Sequence, residues 1–414
     1  MPGSLVGVRE TCTPSREQPL TNRHTPRLSE FARYLRTETV GGLVLLAATA
    51  LALIWANSPL GDSYRDLRET RVGTEFLHLN LTVGDWAKDG LLALFFFVVG
   101  LELKRELVIG ELSRFKAALL PVIAALGGMV VPALLALLIA AGDPLAGQVW
   151  PIPVATDIAF ALGVLALTAR HMPSSARVFL LSLAVVDDLG AIALIATLFT
   201  SKFDFIAFGV SVVLLALYWY LQRKRITSPW LYVPLAIGVW IAVHTSGIHA
   251  TVAGVALGLL TRVRKDPYEK EAPALRLEHR LQPWSAGVAV PVFALFAAGV
   301  PIGADALGAV FTERIGLAIM IGLVAGKLLG IVGFSLVAVK FKLAAMPSGL
   351  GWRDMGAVAM LGGVGFTVSL LIAELSLAEA DAELAKAAVL IASAAASLLA
   401  AGMLAKRSKA HADS

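Results

Sequence analysis

The chain has 414 residues, 57% of them hydrophobic and only 16% charged, with a formal net charge of +5 and a mean hydropathy of +0.76. Soluble domains carry about 25% charged residues, so this composition excludes an ordinary globular fold and marks an integral membrane protein. Open sheets cannot satisfy their backbone in lipid, which leaves an all-α polytopic class built from apolar runs of about 17–25 residues.

Residues 1–39 contain six arginines, several prolines and hydroxyls, and no apolar h-region. A polar cytoplasmic tail is expected there rather than a cleaved signal peptide. The single cysteine, Cys12, lies in this tail, so neither an intrachain disulfide nor a cysteine metal or redox site is expected. The basic balance suits cytoplasmic loops better than a nucleic-acid partner.

About twelve transmembrane helices follow over residues 40–405, at roughly 40–56, 89–104, 117–141, 151–169, 177–200, 204–221, 230–246, 248–261, 284–300, 315–339, 353–375 and 383–405. The spans at 230–246 and 248–261 are short and nearly contiguous. Residues 406–414 form a C-terminal cytoplasmic tail. With both termini inside, the cytoplasmic segments hold 27 Lys and Arg residues, while the outer segments and adjoining helix ends hold 7. That asymmetry obeys the positive-inside rule. In the outer loop 57–88, TRVGTEFLHLNLTVGDW alternates as a short β-hairpin would, although a solvated loop fits as well.

Two spans are interrupted. The fourth opens WPIPVATDIAFALGVLAL, with Pro151 and Pro153 ahead of Thr156 and Asp157; the eleventh contains MLGGVGFTVSL, with Gly362, Gly363 and Gly365. Proline removes a backbone donor and glycine loosens a helix. Both residues are common in membrane helices, but breaks at corresponding places of spans 3–5 and 10–12 point to a transporter's binding site.

A charge at mid-membrane costs about 2.5 kcal/mol or more, yet the spans hold Asp89, Glu102, Asp157, Asp187, Asp188 and Lys327. In LAVVDDLGAIALIA, Asp187 and Asp188 stand about 100° apart around the helix and titrate as a coupled pair. Such a pair holds protons or releases them to take a hard cation. The competing roles are capping a helix end or neutralisation by arginine. Lys327, in IMIGLVAGKLLGIVGF, is suited to pair with a carboxylate or carry a proton, unless it snorkels. Asp157 and Lys327 also suit the positive and negative ends of opposed half-helices. Thr156 offers a hydroxyl to an ion or to its own helix.

In FFFVVGLELKREL, Glu102, Arg105 and Glu106 mark either the mouth of an acidic funnel or a solvated helix end. His249 titrates near neutrality or is simply hydrogen-bonded. Glu278, in RLEHRLQPW, lies in the most basic loop, where a charged surface is the default. No GxxxxGK[ST], HExxH, GxSxG or GxGD occurs, so no ATP drive, no enzymatic activity and no cofactor is expected.

The segments FFFVVGLELKREL, PVIAALGGMVVPALL, ATDIAFALGVLAL, LAVVDDLGAIALIA, GIHATVAGV, GKLLGI and GGVGFTVSLLIAEL resemble, in order and spacing, the NhaA-type sodium/proton antiporters over about residues 30–405. The resemblance implies twelve helices in inverted repeats, with crossed broken helices at spans 4 and 11. It implies electrogenic exchange of Na⁺ or Li⁺ for H⁺ in a prokaryotic cytoplasmic membrane, and a homodimer joined through the loop hairpin. By motif position, Asp188 is the primary cation ligand with Asp187 beside it, and Lys327 pairs with Asp187 and exchanges protons. Asp157 and Thr156 lie at the crossing, and Glu102, Arg105, Glu106, His249 and Glu278 match pH-response positions. A carboxylate-based symporter of a small solute is the alternative. Lys88, Leu328 and Gln282 depart from the usual asparagine, proline and histidine, which bears on pH set-point more than on transport.

Overall fold

A computed structural model describes residues 26–74, 79–200 and 203–413, with side chains from residue 40 onward. Helix α1 (Pro26–Ala56) starts well before the first apolar run and turns through 114° into the amphipathic α2 (Gly61–Glu69). Strands β1 (Arg71–Val72) and β2 (Leu81–Thr82) then pair antiparallel, Arg71 opposite Thr82, a two-rung ladder within the alternating segment; the tip of the expected hairpin, 75–78, lies outside the described residues. Helix α3 (Val83–Asp85) passes through a π-helical turn at Trp86–Leu91 into α4 (Leu92–Val108), and α5 (Phe115–Ile139) follows.

The short α6 (Ala146–Val149) and a 3₁₀ turn at Ile152–Val154 precede α7 (Ile158–Thr168), with a 41° bend at the break. Next come α8 (Ser174–Leu198), α9 (Phe205–Arg223), α10 (Pro229–Thr245) and α11 (Thr251–Leu260). The nearly contiguous stretch is thus two helices, separated where Gly247 adopts φ +83°, a left-handed turn that favours glycine. Helix α12 (Pro273–Trp284) lies largely within the segment read as a loop; Arg276, Glu278, His279 and Arg280 hide it from a hydropathy scan. A second π-helical turn, Ser285–Ala289, leads to α13 (Val290–Ala297), then α14 (Ala304–Thr312) and α15 (Arg314–Ile321).

A third π-helical turn, Gly322–Gly326, joins α15 to α16 (Lys327–Lys340). Helices α17 (Trp352–Leu361) and α18 (Phe366–Ser376) meet at a 48° bend, and α19 (Glu379–Ala412) runs on through the segment read as a tail. Among the described residues, five helical stretches are individually long and apolar enough to cross a membrane, and three bent pairs pass the same test together. At about 1.5 Å per residue, the 25 residues of α5 or α8 exceed a hydrocarbon core of about 30 Å.

The apolar core is divided. One cluster gathers Ile152, Ala155, Ile192, Ile195, Leu323 and Val368. A second gathers Leu162, Leu180, Leu183, Ile331, Val358 and Leu361. Helix α8 contributes to the first beyond Asp188 and to the second before Asp187. The run from α15 to α16 does the same on either side of Lys327, and the break before α7 on either side of Asp157. The buried charges therefore occupy a seam between two dry cores.

Contacts at helix ends and connecting segments tie together parts of the chain that are distant in sequence. Asn57 bonds Val300 and Ile302, Arg314 donates to the Ala141 carbonyl, the Asp204 amide to Ser246, and Arg68 pairs with Glu374 at 3.0 Å. Ser175 likewise donates to the Ser348 carbonyl, Arg225 pairs with Asp266 and Arg105 with Glu278.

Helices α5 and α16 approach through Gly127 and Gly330, where a Cβ on either residue would collide with the other's carbonyl oxygen. Gly333, one turn further on, faces open space. Gly330→Val is expected to lower the unfolding temperature of the purified protein sharply. Gly333→Ala is expected to leave it unchanged or raise it by the equivalent of about 0.5–1 kcal/mol. Circular dichroism melting in detergent compares the two.

Candidate cation-exchange site

Asp187 and Asp188 sit at the middle of α8, and both are buried. Lys327 Nζ donates to both oxygens of Asp187, at 2.9 and 2.7 Å, and each side chain is 1% exposed. The lysine stem runs between Gly128 and Gly362, so small residues on α5 and after α17 open its slot. Asp188 points elsewhere, as the turn between consecutive helix residues requires. Its Oδ1 has no hydrogen-bond partner among the described residues. The adjacent carboxylates thus have different surroundings: one accepts two hydrogen bonds from an ammonium, and the other presents an unengaged oxygen in the seam.

The two breaks meet at Asp157. Its Oδ1 accepts the Phe160 amide at 3.0 Å, which caps α7. Its Oδ2 accepts the Thr367 amide at 3.2 Å and the Thr367 hydroxyl at 2.6 Å, at the start of α18. One carboxylate therefore faces the positive ends of two helices, each with orphan amides to satisfy. The Asp157 amide donates to the Val364 carbonyl at 2.6 Å, and the Thr156 hydroxyl to the Gly362 carbonyl at 2.9 Å. Ser369 closes the Ile152 carbonyl at 2.8 Å. With three donors on its two oxygens, Asp157 organises the break; Thr156 has its hydroxyl hydrogen committed, which leaves oxygen lone pairs for a cation.

Thr367 escaped the sequence reading. The one signal for it is a hydroxyl just inside the helix that restarts after the glycines, opposite an aspartate that starts the other break.

The structure brings Glu102, Arg105 and Glu278 together. Arg105 lies 3.9 Å from Glu102 and 3.5 Å from Glu278. Glu278 is 2% exposed, not part of a solvated loop surface, because α12 packs against α4. Burial pushes its carboxyl up to about 7, against the pull of Arg105 and with help from Glu102 and Glu106. Glu106 turns away to accept the Glu111 amide at 3.2 Å, and burial raises its carboxyl too.

His249 does not join this group. Its Nε2 lies 3.3 Å from Asp89 Oδ1, and its Nδ1 is 2.8 Å from the Thr251 hydroxyl. His244 Nδ1 stands 4.0 Å from the other Asp89 oxygen. Asp89 precedes Glu102 by about 20 Å along the same helical run.

A helical membrane fold with two breaks tied at an aspartate and a buried lysine–carboxylate pair defines a membrane transporter of the ion-carrying kind. The sequence pattern of the family described as Na⁺/H⁺ antiporter 1 matches residues 32–404. The chain is 66% identical over 395 residues to the Na⁺/H⁺ antiporter NhaA 1 of Saccharopolyspora erythraea, covering 95% of this chain and 96% of the relative. It is 60% identical to the Na⁺/H⁺ antiporter NhaA 2 of Rhodococcus jostii, covering 94% of this chain and 95% of that one. The solved sodium proton antiporter MjNhaP1 of Methanocaldococcus jannaschii matches with a TM-score of 0.50 at 16% identity, over 91% of this chain and 98% of that one, a likeness of fold alone. The chain belongs to the NhaA-type sodium/proton antiporter family.

Glu278 binds its proton more tightly in the folded protein than its ordinary value of 4.5 allows. It therefore contributes stability that is full below about pH 4.5 and lost as pH rises through about 7. Melting temperatures across this window are expected to fall more steeply in the wild type than in Glu278→Gln, which does not titrate.

Proposed function

We propose that the chain exports Na⁺ in exchange for external H⁺ across a prokaryotic cytoplasmic membrane, by alternating access at Asp187 and Asp188. The observation that carries this reading is the asymmetry of the aspartate pair, one oxygen set held by Lys327 at 2.7 Å and one Asp188 oxygen unengaged, in a chain closely related to proteins named Na⁺/H⁺ antiporters.

Cation arriving from the cytoplasm meets Asp188 first. Its positive charge beside Asp187 competes with the Lys327 ammonium, because two cations cannot share one carboxylate in a dry seam at acceptable cost. Lys327 gives up the carboxylate and a proton, and Asp188 releases any proton that it holds. The cation is then ligated by the two carboxylates and by oxygen from Thr156. Turning the loaded site outward and reprotonating it there completes the cycle. Because Lys327 and Asp188 both yield protons, more protons than cations move, and transport is electrogenic. Li⁺ has the same charge and a hard preference for oxygen, and it is carried too.

Twelve spans with inverted repeats, and broken helices crossing as spans 4 and 11, fit the bends at Ala146–Thr168 and Trp352–Ser376. In this arrangement both termini are cytoplasmic, and the chain works as a homodimer. Glu102, Arg105, Glu106 and Glu278 form a proton-responsive funnel, and His249 acts in the pH response through Asp89, at the other end of α4. Symport of a small solute finds no support among the relatives.

Everted vesicles carrying a proton gradient and a pH dye test the reading. Addition of Na⁺ or Li⁺ is expected to dissipate the gradient in the wild type, and Asp188→Asn to reduce this by about 100-fold or more. Lys327→Ala is expected to weaken exchange and to change its electrogenicity. A gradient that neither cation disturbs contradicts the proposal.

A further inference from the structure

Asp354, the third residue of α17, is 1% exposed. Its Oδ2 accepts the Gly351 amide at 2.9 Å and so caps the helix. Its Oδ1 accepts Arg407 Nε at 2.7 Å, and His411 Nε2 lies 3.2 Å from Oδ2. Both partners come from the final turns of α19. Ser408, next to Arg407, accepts the His171 amide at 3.0 Å in the turn that follows α7. One helix end therefore fastens the far ends of both α7 and α17.

The near ends of those two helices are the site. Asp157 starts α7. Gly362 ends α17, takes the Thr156 hydroxyl and walls the Lys327 stem. Helix α17 has ten residues, a rod of about 15 Å, so movement at Asp354 reaches Gly362 with little loss. A cap needs only the Gly351 amide, so the arginine and the histidine do something further. They fix the carboxylate, and with it the rod, to a second helix, since a buried carboxylate without a partner is costly.

We propose that Arg407, acting through Asp354, is a positioning residue for cation exchange. It sets the depth and tilt of α17 and thereby the place of Gly362 against Thr156 and Lys327. The inference rests on the exchange at Asp188 proposed above.

Purified protein in proteoliposomes, assayed for initial exchange rate against Na⁺ concentration at fixed pH, tests it. Arg407→Gln is expected to raise the half-saturating Na⁺ concentration about threefold or more, with a smaller change in maximal rate. Arg407→Lys, which keeps the charge, is expected to return it toward the wild type. Asp354→Asn keeps the shape of the cap and is expected to shift half-saturation in the same direction; the double variant goes no further than either single one. Variants that melt earlier but keep wild-type half-saturation overturn the proposal, as do additive effects in the double variant. A wild-type protein that exchanges no Na⁺ overturns the functional reading itself, which separates the two failures.

Discussion

The pair between Lys327 and Asp187, sealed between two apolar clusters, is the constraint on which the rest of the structure turns. Each charge alone at that depth would be prohibitive, and removing one partner of such a pair typically costs about 3–5 kcal/mol. Together they are tolerable without being optimal, since the attraction only roughly repays two desolvations. A pair near balance is one that a third charge can displace. In the proposed exchange, Asp188 provides the place for that charge one residue away, on a different bearing around the same helix.

Helix ends supply the rest of the site. Asp157 receives amides from the starts of α7 and α18, while carbonyls near the opposing ends are closed by Thr156 and Ser369. Unwound backbone at membrane depth is tolerated only where its polar groups are met inside the protein. Here the Phe160 amide is met within its own helix, and the Thr367 amide and the carbonyls of Gly362 and Ile152 are met across the junction, from the other break. The two breaks therefore brace each other. The glycines at 362, 363 and 365 leave room for this, because side chains there would strike α16, its preceding turn and Ser369.

Much of this was legible in the residues. Charge against apolar context picked out Asp187, Asp188, Lys327 and Asp157, because a mid-membrane charge has few innocent explanations. Proline and glycine marked both breaks. Amphipathic surface elements were not legible: α12 reads as a charged loop, and its buried Glu278 as surface, because hydropathy averages over the face that packs on α4. Thr367 was missed because a hydroxyl in an apolar helix carries no signal until its partner across the fold is known. The separation of His249 from Glu102 was likewise hidden, since nothing in local sequence tells that the turn ahead of α11 meets the turn ahead of α4 rather than its far end. The π-helical turns ahead of Lys327 and around Asp89 have no pattern of their own in the sequence.

In the proposed cycle sodium and protons compete for the same carboxylates. Adding Na⁺ to the purified protein in weakly buffered detergent solution, and following both bound cation and released protons, tests this most directly. The expected result is proton release in proportion to Na⁺ bound, lost in Asp188→Asn. Sodium binding without proton release, or undiminished release in Asp188→Asn, would contradict the account.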